Sequence, residues 1–377
     1  MRTLVLPCLF CFSNIFSQSY ENFMQDASKK LKAKEYCAAL SDFKNAFGLQ
    51  AKVGVYDYVS GASAAANCSD TKTAVEWLKK SYDLGLGKSR DEIIYLKTNE
   101  RFKNLTSDTE FQQIITGMEN KLAQKEEDNR KEAELWNQEI IRNQITENKP
   151  FSQPSSGFAL YFTETEGMKI PYLVFVPKSY KASAKTKVIF YLHGGVNSLN
   201  DFYYKNADVK TEPIFSVGEN FNAIIVYPFA KKDFGWVDQK KAFENIFTIV
   251  YDIEKKYNVD QNKIYLGGMS NGGTAAFWFA SQKKTPFRAF YAFAPNPVLN
   301  IGDISFGNIT KKHPLYTMNA KDDDVFSYEN VFKIYNQNKS KATGWTFKTL
   351  EKGSHAFIYN LEINKELLTR FFTDILK

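Results

Sequence analysis

The sequence predicts an α-helical N-terminal repeat domain followed by an α/β domain with a mostly parallel sheet. Three observations carry this. Up to about Met118, apolar residues recur at helical spacing in short segments separated by turns. From Glu119 to Lys149 charge becomes dense among good helix formers, and Pro150 closes the stretch. Beyond it, apolar β-rich runs alternate with amphipathic helical patterns, the signature of strands covered on both faces by helices. At 377 residues, 44% of them apolar, the chain exceeds what one ordinary domain needs.

The first segment, "MRTLVLPCLFCFSNIFSQSY", has one early positive charge, an apolar stretch from Leu4 to Phe16 and a small residue, Ser17. This is the pattern of an export signal over residues 1–17, and the apolar run is too short for a membrane span. A periplasmic or secreted location is therefore expected. Cys8 and Cys11 would leave with the leader, so Cys37 and Cys68 remain.

Residues 18–118 hold helical elements that repeat about every 34 positions, an interval characteristic of stacked helix pairs. "YCAALSDFKNAFGL" and "TKTAVEWLKKSYDLGL" are two versions of one helix, and Ala38, Ala39 and Ala64–Ala66 supply small packing surfaces. The region is similar to tetratricopeptide repeats, which implies a stacked core and a surface for a protein partner. Cys37 starts the second helix of one repeat, and Cys68 ends the first helix of the next. In such a stack these ends share an edge, so a disulfide is expected. Residues 119–149 read as a charged, solvated helical linker.

In residues 150–377 the expected strands are 172–177, 187–195, 222–228, 263–268, 289–295, 314–320 and 345–351. Helices are expected at 243–258, at 328–338 and over the final "NKELLTRFFTDILK". In a parallel sheet, reactive groups gather beyond the C-terminal strand ends. "IYLGGMSNGG" places Gly268-Met269-Ser270-Asn271-Gly272 where a strand becomes a helix. A G-x-S-x-G in that context holds a serine hydroxyl out of the sheet on a tight turn. Serine needs a base, and the base needs an orienting acid. Of the three histidines, His193 precedes the serine and His313 precedes any candidate acid. His355, in the loop after the strand "WTFKTLE", fits the order serine, acid, histidine. Asp322, Asp323 and Asp324 close the preceding strand and are the acid candidates. Backbone N–H donors for a developing oxyanion are expected at Asn271 and in the loop His193-Gly194-Gly195, with Gly195 favoured and Gly194 or Val196 as neighbours. His193 is expected to fix that loop.

The set "YLHGG", "IIVYPFA", "FGW", "NKIYLGGMSNGG", "KDDDV" and "GSHAF" resembles the α/β-hydrolase superfamily. Within it, exported esterases of the feruloyl esterase and polyhydroxybutyrate depolymerase type are most similar. The resemblance implies an α/β-hydrolase fold and a Ser-His-Asp triad acting on carboxylic esters through an acyl-enzyme, without cofactor or metal. It also selects the acid, because these hydrolases lead with aspartate in D-x-x-V: here Asp322, followed by Val325, with Asp324 and then Asp323 as alternatives. Trp236, in "FGW", would touch the acyl or sugar group of an ester, a polysaccharide-linked one among the candidates, or else serve as a packing residue. The chain departs from the pattern in Asn271, where alanine is frequent, and in having no cysteine in this domain. Two other readings share these residues: a serine peptidase of the same fold, and a helical-repeat binding protein on a degenerate hydrolase scaffold.

Composition narrows the partners. The net charge of +7 is spread over scattered lysines, which argues against nucleic acid and against an anionic membrane. Three consecutive aspartates lack the staggered spacing of a calcium loop.

Overall fold

The structure, a computed structural model, describes residues 19–49, 52–145, 156–360 and 364–376. The expected leader, residues 1–17, and the end of the expected linker, 146–149, lie outside them. The chain forms two compact units, Met1–Arg130 and Lys131–Lys377. Among the described residues no helix is long and apolar enough to cross a membrane.

The first unit is helical: α1 (Tyr20–Lys32), α2 (Tyr36–Leu49), α3 (Val55–Asn67), α4 (Thr71–Asp83), α5 (Arg90–Thr98) and the first part of α6 (Thr109–Arg142). Short connections make α1–α2 and α3–α4 antiparallel hairpins. Starts are fixed by side-chain caps: Ser19 accepts from the Asn22 N–H, Asp70 from Thr73 and Ser89 from Glu92. The run Ala62–Ala66 is fully buried in α3 and lets α4 approach closely. Trp77 of α4 packs where Gly61 has no side chain; a Cβ there would lie 2.7 Å from the indole. Phe43, Leu78, Phe102 and Met118 complete this core. Cys37 and Cys68 are joined as a disulfide, their Cα atoms 4.9 Å apart.

The stretch expected as a solvated linker is different. α6 begins at Thr109, well before it, and the division between the units falls inside this helix. Trp136 and Ile140, one turn apart, are buried in the core of the second unit. The Trp136 indole N–H donates to the Tyr204 carbonyl at 2.9 Å. The charge density concealed an apolar stripe two residues wide.

The second unit carries one eight-stranded sheet: β1 (Gly157–Thr165), β2 (Met168–Val176), β3 (Thr186–Leu192), β4 (Ala223–Pro228), β5 (Val259–Met269), β6 (Ala289–Phe293), β7 (Leu315–Ala320) and β8 (Trp345–Leu350). Its order is β1-β2-β4-β3-β5-β6-β7-β8. β2 runs antiparallel to both neighbours, and β3 to β8 are parallel. This is the α/β-hydrolase arrangement. The helices are α7 (Ile214–Phe221), α8 (Lys240–Lys256), α9 (Asn271–Ala280), α10 (Tyr328–Asn338) and α11 (Asn364–Ile375).

Strict alternation places the two cores. Val188, Phe190 and Leu192 of β3 face the layer of α8 and α9, while Ile189 and Tyr191 face α7, α11 and the end of α6. Each strand from β2 to β5 splits the same way, so both sheet faces are dry and the reactive groups are left to the loops at the strand ends. β1 and α7 were not anticipated. β1 is the outer half of a hairpin whose two-residue turn, Glu166-Gly167, has positive φ at both positions.

The disulfide closes a 31-residue separation. Reducing it in the full-length protein should lower the local stability of α2 and α3 by roughly 3–4 kcal/mol in the chain-entropy picture. Hydrogen exchange of those amides with and without dithiothreitol measures this; equal protection in both states would show that the bond contributes nothing.

Candidate active site

β5 runs in the sheet centre between β3 and β6, and the chain reverses sharply at its end. Ser270 sits on that corner with φ 54° and ψ −115°, a conformation an L-residue adopts at a cost. Its N–H donates to the Phe293 carbonyl at 2.9 Å, and its carbonyl accepts from Thr274, the first bond of α9. The flanking glycines follow from space. A Cβ on Gly268 would lie 2.0 Å from the Leu192 carbonyl oxygen, and one on Gly272 would lie 1.8 Å from the same atom. No side chain fits at either place, so strand, turn and helix close on the end of β3.

The Ser270 hydroxyl donates to His355 Nε2 at 2.9 Å. His355 lies in the loop after β8, with Phe326 edge-on against its ring. Its Nδ1–H donates to the Asp323 carboxylate at 2.9 and 3.0 Å. Asp323, not Asp322, therefore orients the histidine. The Asp323 side chain is 0% exposed and also accepts from the N–H groups of Val325 and Phe326. These two donors aim the carboxylate inward at the end of β7.

Asp322 has a separate task. Its carboxylate accepts from the N–H groups of Gly353 at 2.9 Å and Ser354 at 3.0 Å. The Ser354 N–H, with that of Gly353, holds its carboxyl below the usual carboxylate range. It ties the β7 loop to the loop that carries His355. Asp324 is exposed and is not part of the relay.

The donors expected for an oxyanion are on adjacent segments. Asn271 is the first residue of α9, where a backbone N–H has no partner within the helix. The Val196 N–H is occupied by the Asn271 side-chain oxygen at 3.1 Å. That excludes Val196 as a donor; Gly195, at φ 67°, and Gly194 both line the cavity beside Ser270. Asn271 thus has a role beyond its N–H: its amide ties the loop after β3 to the serine turn. Where alanine stands, that tie is missing. Gly194 is the point of contact, since a Cβ there would sit 2.9 Å from Ser270 Cβ.

His193 holds this loop from behind. Its Nε2 accepts from the Ala230 N–H at 3.0 Å, so Nδ1 carries the proton and donates to the Gly194 carbonyl at 2.7 Å. Its own carbonyl accepts from the Trp236 indole at 3.0 Å. Trp236 is 2% exposed. It anchors this loop, and it also borders a second cavity that shares Asn271 and Phe326 with the one holding Ser270. Burial pushes the His193 imidazole down to about 4, against the opposing bond to Gly194.

That cavity, about 560 Å³, is bordered by Ser270, His355, Phe326, Tyr203, Glu212 and Tyr359. The last three were not singled out from the sequence. Glu212 lies in "VKTEPIF", where no periodicity or motif marks an isolated acid. Among the described residues, no group of three or more His, Cys, Asp or Glu side chains is arranged to hold a metal.

No protein-family model matches the chain, and no curated protein matches it in sequence. Solved structures resemble it in part. A thermostable esterase is 22% identical over 57% of this chain and 62% of its own, with a TM-score of 0.45. The acylaminoacyl peptidase of Pyrococcus horikoshii is 15% identical over 58% of this chain and 42% of its own, with a TM-score of 0.44. The fluorophosphonate-binding serine hydrolase F of Staphylococcus aureus is 12% identical over 59% of this chain and 99% of its own, with a TM-score of 0.46. The chain thus spans under two thirds of the first two.

Two measurements follow from the geometry. Asp323→Asn should slow phosphonylation of Ser270 by a fluorophosphonate roughly 10³-fold or more, as loss of the orienting acid does in other triads. Asp322→Asn, which leaves the relay in place, should slow it by less than about tenfold. The reverse ranking would restore Asp322 as the acid.

His193 gives a pH prediction. Its folded value, about 4, lies below the unfolded 6.5, so the unfolded chain binds the extra proton between the two. Stability from this group is complete above pH 6.5 and is lost as pH falls through that window toward 4. The shift corresponds to about 3 kcal/mol for this fully buried ring. Urea unfolding of wild type and His193→Gln at pH 7 and 4.5 reads it, and an equal pH loss in both proteins would remove His193 as the cause.

Proposed function

We propose that the second unit is a serine hydrolase that cleaves carboxylic esters outside the cytoplasm. The observation that carries this is the continuous relay Ser270–His355–Asp323 on a strained turn, with Asn271 and Gly195 lining the same cavity.

Each step uses an atom already in place. As Ser270 Oγ attacks the ester carbonyl, its proton passes to His355 Nε2. The imidazolium is stabilised by Asp323, whose carboxylate is held by two backbone donors. Negative charge grows on the carbonyl oxygen and is met by the Asn271 N–H, reinforced by the positive end of α9, and by Gly195. Collapse expels the alcohol, which takes the proton from Nε2. Water then repeats the sequence on the acyl-enzyme. The Asn271 amide and the His193 bonds hold the loop after β3 against reorganisation during both halves.

The remaining parts of the reading extend it. The two consecutive hairpins of the first unit support a tetratricopeptide-like module that binds a protein partner or a large, polysaccharide-linked substrate. The Cys37–Cys68 disulfide supports export to an oxidising compartment.

The test is p-nitrophenyl acetate beside a short peptide anilide. Wild type should turn over the ester faster, and Ser270→Ala should lose at least about 10³-fold of that activity. A fluorophosphonate adduct should map to the peptide containing Ser270. A Ser270→Ala variant as active as wild type would end this proposal. Faster turnover of the anilide would shift it to a peptidase, and neither activity nor labelling would leave a binding scaffold.

A further inference from the structure

One acid in the wall of the reaction cavity takes no part in the relay. Glu212 follows a single 3₁₀ turn (Ala207–Thr211) and lines the same cavity as Ser270 and His355. The Tyr227 hydroxyl donates to its Oε1 at 3.2 Å, and the Tyr359 hydroxyl to its Oε2 at 3.1 Å. Tyr203 bonds to Tyr227 behind the first contact, and Tyr191 lies 3.4 Å from the Tyr359 hydroxyl behind the second. Every group around the carboxylate is neutral. His193, which lines the same cavity, stacks on Tyr227 but is kept uncharged by burial. Among the described residues no lysine, arginine or histidine nitrogen lies within 4 Å of Glu212.

A desolvated carboxylate without a counter-charge is costly, and burial accordingly raises the Glu212 carboxyl above its ordinary range. Structural acids in cores are paired; this one is not. A carboxylate offers about four acceptor positions. The tyrosines fill two, one on each oxygen, and fix its orientation. Tyr203 and Tyr359 border the cavity with it, so a group that reaches Glu212 also meets aromatic rings. Acid plus aromatic wall is the chemistry that holds a cation: charge against charge, with ring faces replacing water.

We infer that Glu212, framed by Tyr203 and Tyr359, is a subsite for a positively charged amine or quaternary ammonium group on the ester cleaved at Ser270. This rests on the ester-hydrolase reading above. The charge belongs on the acyl or the alcohol portion of one small ester, since both the relay and Glu212 face one cavity. A cation in the subsite favours the ionised form of Glu212, which burial alone disfavours, and so favours such a substrate over its uncharged isostere.

The test compares isosteres that differ in charge alone, on the full-length protein. For the acyl side they are p-nitrophenyl 4-(trimethylammonio)butyrate and p-nitrophenyl 5,5-dimethylhexanoate. For the alcohol side they are butyrylthiocholine and S-(3,3-dimethylbutyl) thiobutyrate. The quantity read is the ratio of kcat/KM, charged over neutral, so intrinsic reactivity cancels between variants. In at least one pair the wild-type ratio should exceed that of Glu212→Gln by about tenfold or more, with Glu212→Lys lower still. Because each protein is scored on its own ratio, a variant of reduced activity still reports. A second readout needs no variant: choline should inhibit neutral-ester turnover by wild type better than 3,3-dimethylbutanol does. Ratios that coincide in wild type and Glu212→Gln for both pairs overturn the inference, as does equal inhibition by choline and its neutral isostere. Failure of the underlying reading shows separately, as no turnover of any of the four esters and no labelling of Ser270, and the inference then falls with it.

Discussion

The site depends on one close approach. The Leu192 carbonyl at the end of β3 lies within 2.0 Å of where side chains at Gly268 and Gly272 would begin. With those two positions bare, β5 can turn directly into α9 under the neighbouring strand, and Ser270 is forced into a positive-φ corner. The cost of that conformation is offset by the sheet around it: hydrogen bonds from the turn to Phe293 and buried apolar residues on both faces. Because the same carbonyl ends the strand that leads into Gly194-Gly195, the nucleophile and the anion-binding loop are positioned by one contact. A substitution that loosened it would disturb both together.

The surrounding bonds tighten what this contact begins. Asn271 reaches across to the Val196 N–H, and His193 bonds Ala230 and the Gly194 carbonyl from the other side. His193 can do this as a fixed donor and acceptor because burial keeps it neutral near physiological pH. On the opposite rim, Asp322 fastens the β7 loop to the His355 loop. Preorganisation of this kind removes reorganisation from the chemical step, which is where electrostatic stabilisation gains most of its strength.

The legible part of the sequence was the part set by local pattern. Buried parallel strands read as apolar runs, so β2 to β8 lie close to their expected places. The serine turn was legible because its glycines answer a steric need. β1 was missed as an edge hairpin strand whose pairing depends on β2. The buried end of α6 was missed because two apolar residues decide it amid many charges. The acid was misassigned among three adjacent aspartates for a similar reason. A motif offset selects Asp322, but the side chain that points at His355 is chosen by the turn after β7, where the Val325 and Phe326 N–H groups collect the Asp323 carboxylate. Sequence spacing cannot encode that choice when all three candidates are chemically identical.

Two carboxylates near one cavity are separated in role by their partners. Asp323 is enclosed, accepts from two backbone donors and faces the His355 imidazole. Glu212 has two neutral phenols and, among the described residues, no lysine, arginine or histidine nitrogen within 4 Å, so nothing there offsets the burial that disfavours its charged form. An acid that only held the tyrosines in place could be replaced by an amide or hydroxyl without the desolvation cost of a charge. Only Glu212 of the two lines the cavity, and the partners it meets there are neutral. On the proposed reading, catalysis would lie at the strand ends and selectivity in the loop before α7, on separate segments that can vary independently.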